Sequence, residues 1–217
     1  MGLRLVLGSK NYSSWSMRAW LLLRFVNASF EEITVSLFEP GAREKVLKLG
    51  GQTGLVPVLE VDGHSIWDTL AITEYLYELH PAIWPDERFT RARARSYCGE
   101  VHSGLNALRN AMPVNTRARR RCATKTSAVE QDIARVAEIW TGSGSYGDGP
   151  WLFGEFCAAD IMFAPIASRF QTYGVSLTGQ ARRYQDRLLA QPLVTEWCDL
   201  GRRESVVIEQ FELPLET

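Results

Sequence analysis

Two adjacent serines, Ser13 and Ser14, stand where the apolar run Leu3 to Leu7 gives way, through Gly8-Ser9-Lys10-Asn11-Tyr12, to a mostly apolar stretch that begins at Trp15. Serine at a helix start has two uses. The commoner one is N-capping, in which the hydroxyl satisfies a free backbone N–H. The other is chemical: a hydroxyl donor beside the positive end of a helix favours a bound anion such as a thiolate. Each effect is worth on the order of 1 kcal/mol. Together they would lower a thiol pKa of about 8.5 by about one to two units, enough to populate the anion at neutral pH. The protein's own thiols stand elsewhere, since its four cysteines are at 98, 122, 157 and 198. None forms a Cys-x-x-Cys pair or joins histidines at metal-ligand spacing, so reduced thiols and no metal are expected.

The elements that must position these serines follow from pattern. Leu3 to Leu7 predicts a strand, Trp15 to Val26 a helix, Phe30 to Val35 a second strand and Gly41 to Leu49 a second helix. Val56 to Val61 and His64 to Trp67 flank Asp62-Gly63, the signature of a β-hairpin. Asp68-Thr69 then opens an amphipathic helix carrying Leu70, Ile72, Tyr75, Leu76 and Leu79. The first 80 residues therefore read βαβαββα. His80-Pro81-Ala82-Ile83-Trp84-Pro85 ends that pattern. Beyond it only helices are expected, at Thr90 to Ala111, Ser127 to Thr141, Ala158 to Tyr173, Gln180 to Ala190 and Leu193 to Arg203, with Gly142 to Pro150 a loop. The boundaries drawn are 1–80 for an α/β domain, 81–88 for a linker and 89–217 for an all-α domain.

Several function classes are disfavoured by composition. The chain has 217 residues, 46% hydrophobic, enough for a substantial core. The 24 Lys plus Arg nearly cancel the 25 Asp plus Glu, so no global field draws it to nucleic acid. The arginine runs Arg91-Ala92-Arg93-Ala94-Arg95 and Arg117 to Arg121 lack interleaved aromatics and read as solvated faces. No apolar stretch is long enough to span a membrane, and the opening Met1 to Gly8 is too short for a signal peptide, so a cytoplasmic protein is expected.

The order of these elements is thioredoxin-like, and nearly the whole chain resembles the glutathione transferase family. Ser13-Ser14-Trp15-Ser16-Met17-Arg18 is similar to the Ser-Ser-Cys-Ser-Trp-Arg segment of a zeta-like bacterial branch that includes maleylacetoacetate isomerases, with Trp15 in place of cysteine. The resemblance implies that Ser13 is the principal catalytic serine, with Ser14 beside it, and that glutathione is the co-substrate. It implies a cis Val56-Pro57 bond, with Val56 pairing its backbone to the cysteinyl part of glutathione. Asp68-Thr69-Leu70-Ala71-Ile72 is similar to the stretch that binds the γ-glutamyl amine and carboxylate, a match that suits an acid and a helix N-terminus. Trp15 is expected beside glutathione and in the pocket of a small-molecule electrophile, with His102, Arg109, Met112, Asn115, Arg169 and Tyr173 as further candidates for that pocket. His102 and Arg109 are placed on one face of one helix, though helix packing for the histidine and an ion pair for either arginine are the commoner uses.

Three readings follow. The first is a transferase that activates glutathione for attack on an electrophilic carbon. The second is a glutathione-dependent cis-trans isomerase of the maleylacetoacetate type. The third is a non-catalytic binding protein on the same fold. A homodimer is implied by the resemblance. Glutaredoxin- and thioredoxin-like chemistry needs a cysteine at the first helix, which is missing here. Finally, Gly154-Glu155-Phe156-Cys157-Ala158-Ala159-Asp160 resembles the family's helix-capping box with Cys157 at the hydroxyl position, and a structural role is expected for Asp160.

Overall fold

The computed structural model describes residues 2–215; positions 1, 216 and 217, the outer ends of the two expected domains, lie outside the described residues. Four strands, β1 (Leu3–Leu7), β2 (Glu31–Thr34), β3 (Val58–Val61) and β4 (His64–Trp67), form one sheet in the order β2-β1-β3-β4. β1 runs parallel to β2 and antiparallel to β3, and β3 and β4 close the hairpin through Asp62-Gly63. The helices of this half are α1 (Ser14–Phe25), α2 (Ala42–Lys48) and α3 (Thr69–Leu79), so the βαβαββα order expected from the pattern is the one observed.

Alternation along β1 sorts the sheet's two faces. Leu5 and Leu7 join Leu59, Met17, Trp20 and Ile72 in the main core beneath α1 and α3. Val6 points the other way and meets Val35, Val46 and Val58 in a small cluster under α2. The second half is helical: α4 (Arg88–Ser103), α5 (Asn106–Ala111), α6 (Ser127–Thr141), α7 (Ala158–Thr172), α8 (Gly179–Ala190) and α9 (Pro192–Arg203). α7 is buried along almost its entire length and packs against α1 and α4, so one core is continuous through both halves.

The single helix expected over Thr90 to Ala111 is two. Gly104 is extended, Leu105 takes a left-handed conformation with φ of 57°, and α5 starts in a new direction. A Cβ on Gly104 would lie 2.7 Å from the Glu100 carbonyl oxygen, so glycine is required at the break. Arg109 folds back over it, donating from Nε to the Gly104 carbonyl at 3.0 Å and from its Nη2 to that of Val101. His102 and Arg109 are therefore not a heptad pair on one helix face. Arg109 satisfies the C-terminal carbonyls of the helix that carries His102.

The N-terminus of α7 has the expected box. Asp160 accepts from Cys157 N at 3.0 Å, Leu152 N at 3.2 Å and the Tyr184 hydroxyl at 2.7 Å, while the Cys157 thiol faces the Asp160 amide. A thiol is a weaker acceptor than a hydroxyl. Cys157→Ser is accordingly expected to stabilise the fold by about 1 kcal/mol in denaturant titration, and an unchanged or lower midpoint would refute this. Burial raises the Asp160 carboxyl from 3.8 to about 6. The contribution of such a group is full below its unfolded pKa and is lost as pH rises through the folded one. Wild type should thus lose stability relative to Asp160→Asn between pH 4 and 6, seen as a shrinking difference in melting temperature.

Candidate functional site

The turn after β1 begins with Gly8, whose N–H donates to Ser16 Oγ at 2.9 Å. The Ser9 carbonyl then accepts from Ser13 N at 2.9 Å, drawing the chain into the start of α1. Ser13 is the N-cap: its Oγ accepts from Ser16 N at 3.2 Å and donates to Ser16 Oγ at 2.8 Å. As the first two residues inside the helix, Ser14 and Trp15 have amides without an intrahelical acceptor. Ser14 is buried, and its Oγ accepts from Arg169 Nη2 of α7 at 3.3 Å. A donor from behind leaves the Ser14 hydroxyl proton free.

The peptide bond between Val56 and Pro57 is cis, and it brings Val56 beside the start of α1. Asp68 caps α3 with φ of 75°; its Oδ1 accepts from Leu70 N at 2.8 Å and its Oδ2 lies 3.1 Å from His102 Nε2. Burial holds the His102 imidazole below its ordinary pKa despite the Asp68 charge. Thr69 is buried, and its Oγ1 has no hydrogen-bond partner among the described residues. Ser13, Trp15, Val56, Pro57, Asp68, Thr69 and His102 together line one cavity of about 790 Å³, with Arg43 and Leu55 at its rim.

Trp15 is the hub on the other side of α1. Its ring lies 4.7 Å from the Arg18 guanidinium and 5.0 Å from that of Arg109, and it meets the His102 ring edge-on at 5.1 Å. Arg18 is fully buried; its Nε donates to the Met162 carbonyl of α7, and both its terminal nitrogens lack partners among the described residues. Burial, helped by the charges of Arg109 and Arg169, pushes the Arg18 pKa well down. Burial, helped by the charge of Arg109, lowers Arg169 to about 9. Arg169 also donates to the Met112 carbonyl, and Tyr173 donates to the Pro113 carbonyl at 2.9 Å. The structure thus brings Trp15 and His102 to the cavity. It places Arg109, Met112, Arg169 and Tyr173 behind α1, outside the lining of either cavity at the α1 start.

The second of these cavities, of about 930 Å³, opens on Ser13, Ser14 and Trp15 and shares Leu37 and Phe38 with the first. Its far wall is the C-terminal segment from Arg203 to Phe211. Two glutamates hold that segment. The Glu204 carboxylate accepts from Ser9 Oγ, from Lys10 N at 2.8 Å and from Asn11 N at 3.1 Å. Glu212 accepts from Tyr12 Oη at 2.5 Å, Asn115 Nδ2 at 2.8 Å and Arg121 Nη2 at 2.7 Å. Asn115, expected among the electrophile contacts, is instead fully buried as part of this anchor. Sequence reasoning missed Glu204, Glu212 and the whole segment, because it carries neither helical nor strand periodicity. The acids in an otherwise apolar tail, Val206-Val207-Ile208 followed by Phe211, were the only available signal.

Among the described residues no group of three or more His, Cys, Asp or Glu could hold a metal, and no helix is long and apolar enough to cross a membrane.

Comparison with known proteins agrees with this geometry. Residues 12–79 match the family described as the glutathione S-transferase N-terminal domain. A probable maleylacetoacetate isomerase of Caenorhabditis elegans is 37% identical over 100 residues, covering 45% of this chain and 46% of that protein. Protein IN2-1 homolog A of Oryza sativa is 26% identical over 171 residues, covering 75% and 63%. The matched stretches thus span between about half and two thirds of these relatives. A glutathione transferase homolog from Burkholderia GL BGR1, solved with bound glutathione, superposes with a TM-score of 0.71 at 25% identity, covering 94% of this chain and 100% of that one. Over residues 12–79 the chain is thus similar to the glutathione S-transferase N-terminal domain, and over most of its length it shares the fold of a solved glutathione transferase homolog.

Proposed function

We propose that this protein is a glutathione transferase that holds glutathione in the cavity between α1, the Val56-Pro57 bond and the start of α3, and activates its thiol as the thiolate. The observation that carries this reading is the convergence of complementary groups on one cavity. A capping hydroxyl and free helix amides stand at one end, and a carboxylate with an unpartnered buried hydroxyl at the other. Glutathione has a thiol at its middle and an ammonium and carboxylate on its γ-glutamyl end. The Asp68 carboxylate suits the ammonium, and Thr69 Oγ1 at the α3 N-terminus suits the carboxylate. The backbone of Val56 takes the cysteinyl amide as a short antiparallel strand would. The solved relative with bound glutathione supports this choice of ligand.

In this mechanism Ser13, where the two cavities meet, rotates its hydroxyl from Ser16 Oγ to the sulfur while still accepting the Ser16 amide. Ser14 donates from the other side, with its oxygen held by Arg169. The two hydroxyls and the helix end lower the thiol pKa, and positioning against the electrophile supplies the rest. Glutathione is the co-substrate and no metal takes part. The 1–80 unit is proposed as the glutathione-binding domain, 81–88 as its linker and 89–217 as the helical domain that completes the electrophile side. We place the protein in the cytoplasm as a homodimer. The relatives named as maleylacetoacetate isomerases favour a second reading, cis-trans isomerisation through a glutathione adduct.

Isothermal titration should detect glutathione binding at millimolar concentrations, and its absence would reject the enzyme reading in favour of a non-catalytic fold. Ser13→Ala and Ser14→Ala should each raise the pKa of bound glutathione, read from thiolate absorbance, by about one unit while leaving binding within a few-fold. Retention of full turnover with a reactive aryl halide in the double variant would reject the serine mechanism.

The Asp68–His102 contact adds a further expectation. Asp68→Asn should raise the KM for glutathione about tenfold at nearly constant kcat, because an ammonium loses its carboxylate. His102→Gln should move KM in the same direction but less. A change confined to kcat would place both residues on the electrophile side.

A further inference from the structure

The arginine run from Arg117 to Arg121 reads as a solvated face in the sequence, but the structure divides it. Arg121 bonds Glu212, and Arg117 donates to the Glu204 carbonyl at 2.7 Å and to Tyr12 Oη at 2.9 Å, so both serve the C-terminal segment. Arg119 takes another course. With Arg202 and Cys198 of α9, Leu189 of α8 and Gln171, it lines a cavity of about 430 Å³ that shares no lining residue with the two at the α1 start. A Cβ on Gly201 would lie 2.5 Å from Thr116 Oγ1 and 3.0 Å from the Lys10 carbonyl oxygen. Glycine there lets the last turn of α9 close on the loop that carries Arg119.

Two cations are thereby held at one cavity. Burial, and then the charge of Arg202, lower the Arg119 pKa, a repulsion that an anion between them would relieve. Among the described residues no carboxylate lines this cavity. Asp199 takes only Nη2 of Arg202, and Arg119 spends only Nη1, on the carbonyls of Thr116 at 2.9 Å and Ala118 at 2.7 Å. The Nε–Nη2 edge of Arg119 remains as a two-donor fork of the kind that matches two oxygens of a phosphate, and Arg202 keeps Nε and Nη1. Burial raises the Cys198 thiol to about 11 against the pull of both arginines, so it stays uncharged at neutral pH and does not compete for them. We infer that this cavity binds a small phosphate-bearing molecule, with the phosphoryl group between Arg119 and Arg202 and the organic part against Leu189. The lining holds no aromatic side chain on which a base could stack, which favours a small ester over nucleic acid.

Calorimetric titration of the full chain with inorganic phosphate and with phenyl phosphate, each with and without glutathione, tests this. Both should bind at millimolar concentrations or below, phenyl phosphate a few-fold more tightly because its ring covers Leu189. Arg119→Gln and Arg202→Gln should each weaken phenyl phosphate about tenfold at unchanged melting temperature, whereas Arg119→Lys should keep most of the affinity. Asp199→Asn should tighten binding a few-fold, since it frees Arg202 and removes a like charge, and this gain is readable even if Arg119→Gln disturbs its loop. Arg88→Gln, a charge removed far from the cavity, should change nothing. Absence of binding, exclusion of phenyl phosphate, or an equal loss in Arg88→Gln would overturn the inference. So would displacement of phenyl phosphate by glutathione, which would place it in the cavity at the α1 start, or an RNA oligonucleotide bound far more tightly through the same two arginines. Failure of glutathione itself to bind would strike the transferase reading and leave this site untouched.

Discussion

The turn from Gly8 to Ser13 is held in shape by groups more than a hundred residues away in the chain. Glu204 takes the Lys10 and Asn11 amides and the Ser9 hydroxyl on one carboxylate, and Asn11 Oδ1 accepts from Thr116 Oγ1 at 2.9 Å and Arg117 N at 2.9 Å. A turn of small polar residues has many conformations when isolated, and fixing each residue costs about 1 to 2 kcal/mol. Charge-assisted bonds from a carboxylate to backbone amides are among the stronger ways of meeting that cost. The α1 N-terminus, on which the proposed chemistry depends, is thus set by the docking of the helical half and not by its own sequence alone. The main core likewise runs without interruption through both halves.

The same docking creates a costly feature. Arg18, Arg109 and Arg169 converge behind α1, and among the described residues no carboxylate is hydrogen-bonded to any of them. Burying one unpaired guanidinium is expensive, and placing others near it adds repulsion. What offsets this is a set of carbonyl oxygens together with the Trp15 ring, whose negative faces lie within cation–π distance of two of the cations. Cysteine, the residue usual at this position in the zeta-like motif, offers no such face. Trp15 and the surrounding arginines are therefore best understood as one unit, in which the indole does part of the work of a missing counter-ion. A positive field left behind a helix N-terminus is also one that favours an anion in front of it.

Most of the α/β half was legible because its signals are local. Leu3 to Leu7, the Asp62-Gly63 hairpin and the capping residues Ser13 and Asp68 each announce an element within a few positions. The break in the long fourth helix was not. Nothing in the apolar spacing from Thr90 to Ala111 marks it, and Gly104 alone is tolerated in helices at modest cost. The break is decided by the close approach at Glu100 and by the long side chain of Arg109 reaching back, a contact that becomes visible only in three dimensions. The pairing of Asp68 with His102 was hidden for the same reason, since each residue is ordinary on its own helix.

The C-terminal segment was the least legible part, and this follows from how it is held. Residues 205 to 208 lie in extended or irregular backbone and 209 to 211 form a single 3-10 turn, so no period of 2 or 3.6 constrains their apolar positions. Their conformation is imposed from the two anchored ends, where Arg117 and Arg121 also bond the backbone at Glu204 and Leu213. A wall built in this way tolerates changes of side chain between its anchors more readily than a helix buried on α7 would, because no core packing depends on it. The proposed glutathione side sits on capped helices and a strand hairpin, where substitutions disturb the fold. The far wall of the second cavity sits on a tethered irregular segment. On the proposed reading, the architecture separates a wall that the fold holds constant from one that is free to change.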